Sequence, residues 1–464
     1  MPAAQPTSRI GATRALARHV ARGSAAGLHP AVARQATRCL VDWLGVAIAG
    51  SRHPSVRILL RYVASGGGAP QASAVGRAVR TSVALAAMVN AQAAHVLDFD
   101  DTYASDETTL HGSAPILSAA IAVGEWRHRS GHDVLVAFAR GYEVGIRVAR
   151  ALGPAHYAAG WHVTGTAGRL GAAAAAGRLL GLSEERLAVA LSLAATQAAG
   201  MKAVYGTMAK AFHAAKAAHD GVLSAVLADA GFTCTDDAIE APRGLLDLYT
   251  PRAVPQRLRP AGGRHPLLDD GFKPYPCGSL IHAAIDAALD ATVGHDLAPA
   301  AVERVEALVN PHTASVTGIA LPRTGLEAKF STQHCIAVVL ARRRAPGLAD
   351  FTDAAARDVT IAALRRRVRL VVQSRYAKDR ASIQIHLRDG RVLQAITEHA
   401  RGTSQRPLED GELDAKFTAL AEPVLGHRAA RLLSLARSFD ELADVRELLR
   451  LTRPTARALP KAAR

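Results

Sequence analysis

The chain of 464 residues contains only four cysteines, and aromatic residues make up 4% of it. Cys39, Cys234, Cys277 and Cys335 lie far apart with no CxxC pair. That excludes a disulfide framework and a cysteine zinc ribbon, and it makes a reducing, cytoplasmic compartment the expected home. With so few aromatics the core has to be built from Ala, Leu and Val, small side chains that let helices approach closely. No apolar run reaches the ~18 uncharged residues of a membrane span, so no membrane association is expected. Acidic residues are missing before Asp42 while arginines are frequent there, a bias shared with organellar transit peptides. No short apolar core with a small-residue cleavage site follows. Ile10, Leu16, Ala17 and Val20 instead fall on one helical face, which favours a first amphipathic helix.

The length predicts two domains, and 49% apolar with 21% charged residues is ordinary for a globular protein. The formal net charge is +16, which raises the question of nucleic acid. The basic residues come in short, separated runs, Arg342-Arg343-Arg344 and Arg365-Arg366-Arg367, without any zinc-finger spacing, aromatic strand motif or basic zipper. They read as solvated surface charge, and no nucleic-acid partner is expected. A positive field also favours the approach of small anions.

Helical patterning runs from the start to about residue 265. His29-Pro30 opens a helix that closes at Gly50, and further helices are predicted over 83–97, 114–126, 132–152, 168–180 and 208–229. Ser183 with Glu184-Glu185 marks another helix start. After the Pro/Gly-rich stretch from Pro251 to Pro276 the character changes. Val302–Val309, Arg367–Gln373, Ala381–Leu387 and Arg391–Ile396 read as strands, with Asp389-Gly390 as a hairpin turn and helices over Ser331–Arg342 and Thr352–Ala363. From Leu408 the pattern is helical again. The expected fold is mainly α: a large all-helical domain (1–266 and 406–464) with a smaller α+β lid domain (267–405) inserted into it.

Four segments carry chemistry-bearing residues. Asp98, Asp100 and Asp101 repel one another, so they cap a helix, bind a cation or hold one carboxylate at a raised pKa; His111-Gly112-Ser113 follows. His162 precedes a Gly/Thr-rich helix start whose free amides suit a carboxylate, although a hydrogen-bonded core histidine would look the same. Lys210 and His213 share a helical face and can clamp a carboxylate or share acid–base duty; a surface pair is the bland alternative. Lys273-Pro274-Tyr275-Pro276-Cys277-Gly278-Ser279 leads to His282 in the first turn of a helix, which favours neutral imidazole, or a buried structural histidine.

In order and spacing these segments, with Leu44-Gly45, Glu327-Ala328-Lys329-Phe330-Ser331, Arg406-Pro407 and Lys416-Phe417, resemble the MmgE/PrpD family, and the resemblance spans nearly the whole chain. That family includes 2-methylcitrate dehydratases, cis-aconitate decarboxylases and iminodisuccinate epimerases. The resemblance implies a helical domain with an α+β lid, an active site between them, a homodimer, and neither metal nor organic cofactor. It implies catalytic parts for Asp98, His111, Lys210 and His282 and places Thr102 and His162 against the substrate; Lys273 and His213 are taken as further substrate contacts. Two departures stand out: the Ser105–Leu110 segment is longer than in many relatives, and His334 replaces a tyrosine.

The implied reaction is removal of a proton beside a carboxylate of a small di- or tricarboxylic acid. Lys210, Thr102 and His162 would stabilise the developing charge, His111 or His282 would be the base, and Asp98 would orient a histidine or act as partner acid. Dehydration of a 2-methylcitrate-like hydroxy acid comes first, with decarboxylation or epimerisation as alternatives. Two readings from other classes are a basic helical scaffold for nucleic acid or a partner, and a terpenoid-synthase-like magnesium site at Asp100-Asp101 with Asp106-Glu107. The second lacks another acidic motif and an aromatic-lined pocket.

Overall fold

The computed structural model describes residues 11–22, 27–260 and 263–454. Ile10 lies outside them, but Leu16, Ala17 and Val20 are buried along α1 (Ala12–Arg22), the face their spacing predicts. In α2 (Pro30–Gly50) the His29 side chain accepts from the amide of Ala31, and Pro30 at the first helical position loses no hydrogen bond. Then come α3 (Pro54–Gly66), α4 (Val83–Val96), α5 (Ser113–Arg127), α6 (Gly131–Ala158), α7 (Val163–Leu180), α8 (Glu184–Ala195) and α9 (Met208–Asp229). The predicted 132–152 helix is the straight part of α6; Gly153 breaks it at a φ of 68°, Pro154 follows, and one further turn runs to Ala158.

At the centre stands α7, whose residues are all buried except Arg178 and Leu180, packed against α5, α6, α8 and α9. Alanine and glycine make this possible. A Cβ on Gly171 would stand 2.7 Å from the carbonyl oxygen of Gly141 on α6, so any other residue there would push the two helices apart. The helix Asp410–Leu425 returns from the C-terminal part onto α2, where a Cβ on Gly45 would stand 3.1 Å from Phe417 Cα.

The α+β part carries a four-stranded sheet. The strands are β6 (Val302–Val309), β7 (Val368–Val372), β8 (Ala381–Leu387) and β9 (Val392–Thr397), in the order β7-β6-β8-β9. Only β6 and β7 run parallel; β8 and β9 form the hairpin predicted at Asp389-Gly390, with Gly390 at a φ of 89°. The helix His282–Thr292 covers β8 and β9, and Thr332–Arg342 packs on that helix. The single helix predicted over Thr352–Ala363 is two pieces, Asp353–Ala356 and Val359–Arg365, because Asp358 caps a second start by accepting from the amide of Ile361.

Three short pairings were not legible from periodicity. A hairpin joins β1 (Ala72–Ala74) to β2 (Val79–Thr81), and β3 (Thr102–Ala104) lies between β4 (Thr109–Leu110) and β5 (Asp270–Gly271). One apolar core draws on residues 12–272 and again on 408–449, and a second on residues 275–400. Among the described residues the fold is helical with small sheets, and no helix is long and apolar enough to cross a membrane.

Candidate active site

The chain leaves α4 through Asp98, which adopts a φ of 51°, a left-handed conformation that Asp tolerates better than most residues. The three clustered aspartates are all buried, and each has its own partners. Lys210 Nζ donates to Asp98 Oδ2 at 2.7 Å, and Lys273 Nζ donates to Asp98 Oδ1 and, at 3.1 Å, to the Asp98 carbonyl. Burial opposes ionisation of Asp98, but the lysine charges outweigh it and hold the carboxyl well below the usual range. Asp100 Oδ2 lies 2.7 Å from His95 Nδ1, whereas the Asp98 oxygens meet the two lysines. Asp101 Oδ2 accepts from the amide and the hydroxyl of Ser113 at the start of α5. It also sits against Asp270, and burial with this second carboxyl pushes Asp101 up, so a proton is retained in the pair.

The longer 105–110 segment becomes the β3–β4 hairpin, in which Tyr103 pairs with Leu110. His111 is thereby returned beside Thr102, whose Oγ1 is 3.0 Å from His111 Nδ1. The same nitrogen is 3.0 Å from the carbonyl oxygen of Asp101. A carbonyl can only accept, so in the neutral ring Nδ1 carries the hydrogen and Nε2 carries the lone pair. Burial and then the charge on Lys273 push the His111 pKa well down, so the ring is neutral in the free protein. His162, at the N-cap of α7, is likewise held neutral by burial. Its Nδ1 is 3.0 Å from Nδ1 of His213, and one of the two rings donates.

Beside these residues lies a cavity of about 620 Å³, inside the range of about 300–1,000 Å³ usual for small-molecule sites. Asp98, Thr102, His111, His162, Lys210, Lys273 and His282 all line it. The first five come from the helical body; Gly278, His282, His312 and Phe330 form the wall from the α+β part, so the cavity lies where the two cores meet. His282 is buried, with Nε2 3.4 Å from the carbonyl of Cys277 and its ring edge-on to Tyr275. His213 is the exception: it backs His162 and is not among the cavity's lining residues.

Sequence reasoning missed several contributors. His95 and Asp100 form a buried pair whose only signal was a histidine three residues before the first aspartate. Lys329 lay in a quoted motif without a role; its Nζ donates to the carbonyls of Leu97 and Pro276 at 2.7 Å each, tying the end of α4 to the entry of the His282 helix. Lys416 bonds Asp42 Oδ1 at 2.6 Å and the carbonyls of Phe99 and Lys273 at 2.6 and 2.9 Å, fixing both loops that carry site residues. Tyr205 sets its edge against His162, with ring centroids 5.3 Å apart.

Comparison with known proteins bears on what this cavity is. The MmgE/PrpD N-terminal domain model matches residues 14–257, and the MmgE/PrpD C-terminal domain model matches 275–441. The chain belongs to the MmgE/PrpD family. The first match begins within α1, runs past α9 and holds Asp98, Thr102, His111, His162 and Lys210, whereas Lys273 lies between the two matches. The second covers the α+β part and continues into the returning helix Asp410–Leu425. Among curated members the chain is similar to the cis-aconitate decarboxylase of Aspergillus terreus, 25% identical over 451 residues, with 90% of this chain and 91% of that protein covered. It is also similar to the cis-aconitate decarboxylase of Homo sapiens, 26% identical over 435 residues, with 89% and 88% covered. The Mus musculus enzyme of the same name is 26% identical over 446 residues, with 90% and 89% covered.

Proposed function

We propose that this chain is a lyase that develops a carbanion beside a carboxylate of a small di- or tricarboxylic acid, with decarboxylation of a cis-aconitate-like substrate as its leading reaction. One observation carries this reading: two buried lysines meet on Asp98 beside neutral imidazoles in a single cavity. Each ammonium has three N–H groups and gives only part of them to Asp98, so both can also hold a substrate carboxylate. They sit where negative charge would grow, in a buried site where such donors act strongly.

In decarboxylation the bond to the departing carboxylate breaks and its electron pair spreads into the adjoining unsaturated acid. A proton must then reach carbon. A bound polyanion raises the pKa of a nearby histidine, so His111 can take a proton and deliver it although burial favours its neutral ring in the free site; His282 is the other imidazole in the cavity wall that can deliver the proton. Dehydration uses the same groups differently: neutral His111 removes a proton through Nε2 and a protonated partner releases the hydroxyl as water. Relatives named as cis-aconitate decarboxylases support the first order of events at least as well as the second. The similarity to a family of small-acid enzymes also favours this reading over a basic scaffold.

The test is purified protein assayed with cis-aconitate, 2-methylcitrate and citrate, scoring carbon dioxide and water loss separately. Turnover that falls about 10²-fold or more in Lys210→Ala and His111→Gln fits positioned charge and proton transfer. Unchanged turnover in both variants contradicts the reading.

A further inference from the structure

We propose that His95, His111 and His162 form a binding site for a zinc-class divalent ion, and that an ion held there inhibits the reaction. A ring nitrogen from each of the three lies within 4.8 Å of the others. In every one of them Nδ1 is already engaged: by Asp100 at 2.7 Å in His95, by the Asp101 carbonyl at 3.0 Å in His111, and by His213 at 3.0 Å in His162. Nε2 is the nitrogen left over. Among the described residues, Nε2 of His95 and of His162 is buried without a hydrogen-bond partner, although these residues are only 1% and 3% exposed. Two buried, unpartnered ring nitrogens stand beside a third ring, and the carboxylate behind His95 and the carbonyl behind His111 are the partners that orient metal-ligating histidines.

The chemistry selects the ion. Three imidazoles with no thiolate and no ligating carboxylate suit zinc, copper, nickel or cobalt rather than magnesium or calcium. Zinc–nitrogen bonds of about 2.0–2.1 Å put tetrahedral ligands roughly 3.4 Å apart, so small ring rotations must draw the nitrogens together. A fourth position is left for water or a carboxylate from the cavity. The positive charges of Lys210 and Lys273 do not forbid a cation, because Asp98 and Asp100 lie among the same groups and balance them.

Inhibition follows from the lone pair. The inference rests on the function proposed above with His111, rather than His282, handling the proton through Nε2. A metal on that nitrogen and a proton on it exclude each other, so in the occupied site His111 can neither take nor give the proton.

The experiment uses untagged, chelator-dialysed protein titrated with cobalt(II), whose visible d–d absorption is intense in four- or five-coordinate sites and weak in six-coordinate ones. One equivalent per chain should bind with the intense spectrum, and zinc should displace it. His95→Gln and His111→Gln, with folding checked by thermal melting, should each weaken binding at least tenfold. Zinc should also abolish turnover with the same midpoint, and a chelator should restore it. A weak octahedral spectrum, or affinity unchanged in both variants, overturns the site; tight binding with undiminished turnover overturns the inhibition. Tight histidine-dependent binding in a protein that turns over none of the acids supports the site and overturns the lyase reading instead.

Discussion

Lys210 donates to Asp98 at 2.7 Å across 112 residues of sequence, and both side chains are buried. Lys273 holds the other oxygen of the same carboxylate, so Asp98 keeps two like charges side by side in the cavity wall. Asp98→Asn tests this. Asparagine accepts the left-handed backbone at this position, so the change removes charge with little backbone strain. Freed from the shared carboxylate, the lysines repel and lose their positions. We expect kcat/KM to fall about 10²-fold or more while the variant stays folded by circular dichroism.

The histidines set a second expectation, read from pH profiles. In the free protein His111 and His162 are held well below their usual range, first by burial and then by neighbouring charge. A substrate polyanion raises the pKa of the ring that carries the proton. If decarboxylation is the reaction, that ring must be protonated in the complex, and kcat falls as pH rises through its pKa. Dehydration also needs a neutral base, so its kcat falls on the acid side too. Profiles of kcat between pH 5 and 9 separate the two, and His111→Gln should remove the limb that His111 controls.

Folding stability should drop in mild acid. His53, His156, His213 and His265 are lowered to about 4, mainly by burial, and His95, His111 and His162 are lowered as well. Below the ordinary histidine pKa of about 6.5 the unfolded chain binds protons that the folded one refuses, so stability is full above that pH and is lost as pH falls toward 4. Asp270, raised to about 6 by burial, works in the opposite direction over part of the same window, as do Asp42, Asp101 and Glu240, which burial also raises, but these four groups stand against nine histidines once the lowered His312 and His334 are included. The urea midpoint should therefore be lower at pH 5 than at pH 8, with net proton uptake on unfolding.

Much of this arrangement was legible in the sequence because its signals are local. Alanine-rich periodicity marks the helices that bury α7, and Ser183 and Gly390 act through their own backbone neighbours. The four strands of the larger sheet follow from alternation, as in β8, where burial alternates residue by residue. What was missed depends on long-range pairing. The strand β5 is two residues long, Asp270–Gly271, and exists only because Tyr103 and Thr102 lie beside it. His95 reads as one polar residue in an apolar helix until Asp100 is brought round to it. His213 was placed against substrate because it shares a helical face with Lys210; that face is divided between the cavity and His162.

Lys416 supplies a further test, of positioning. Its side chain is 7% exposed and its partner Asp42 1%, and it braces the loops at Phe99 and Lys273. Lys416→Met leaves Asp42 buried without its cation, a loss of the kind that costs about 3–5 kcal/mol. Adding Asp42→Asn should restore part of that stability in urea unfolding, a coupling that independent sites do not show. Because Lys416 touches both loops rather than the cavity, kcat should fall together with stability in the single variant and recover in part in the double one.

The most direct test of the carbanion is hydrogen exchange. The protein is incubated in heavy water with cis-aconitate, 2-methylcitrate and citrate, and deuterium at carbon is followed by mass spectrometry and NMR. We predict that one of these acids acquires a single deuterium, in product or in recovered substrate, at a carbon next to a carboxylate, and that Lys210→Ala abolishes this. Absence of both exchange and conversion across all three acids, or exchange that persists in Lys210→Ala, would contradict the account.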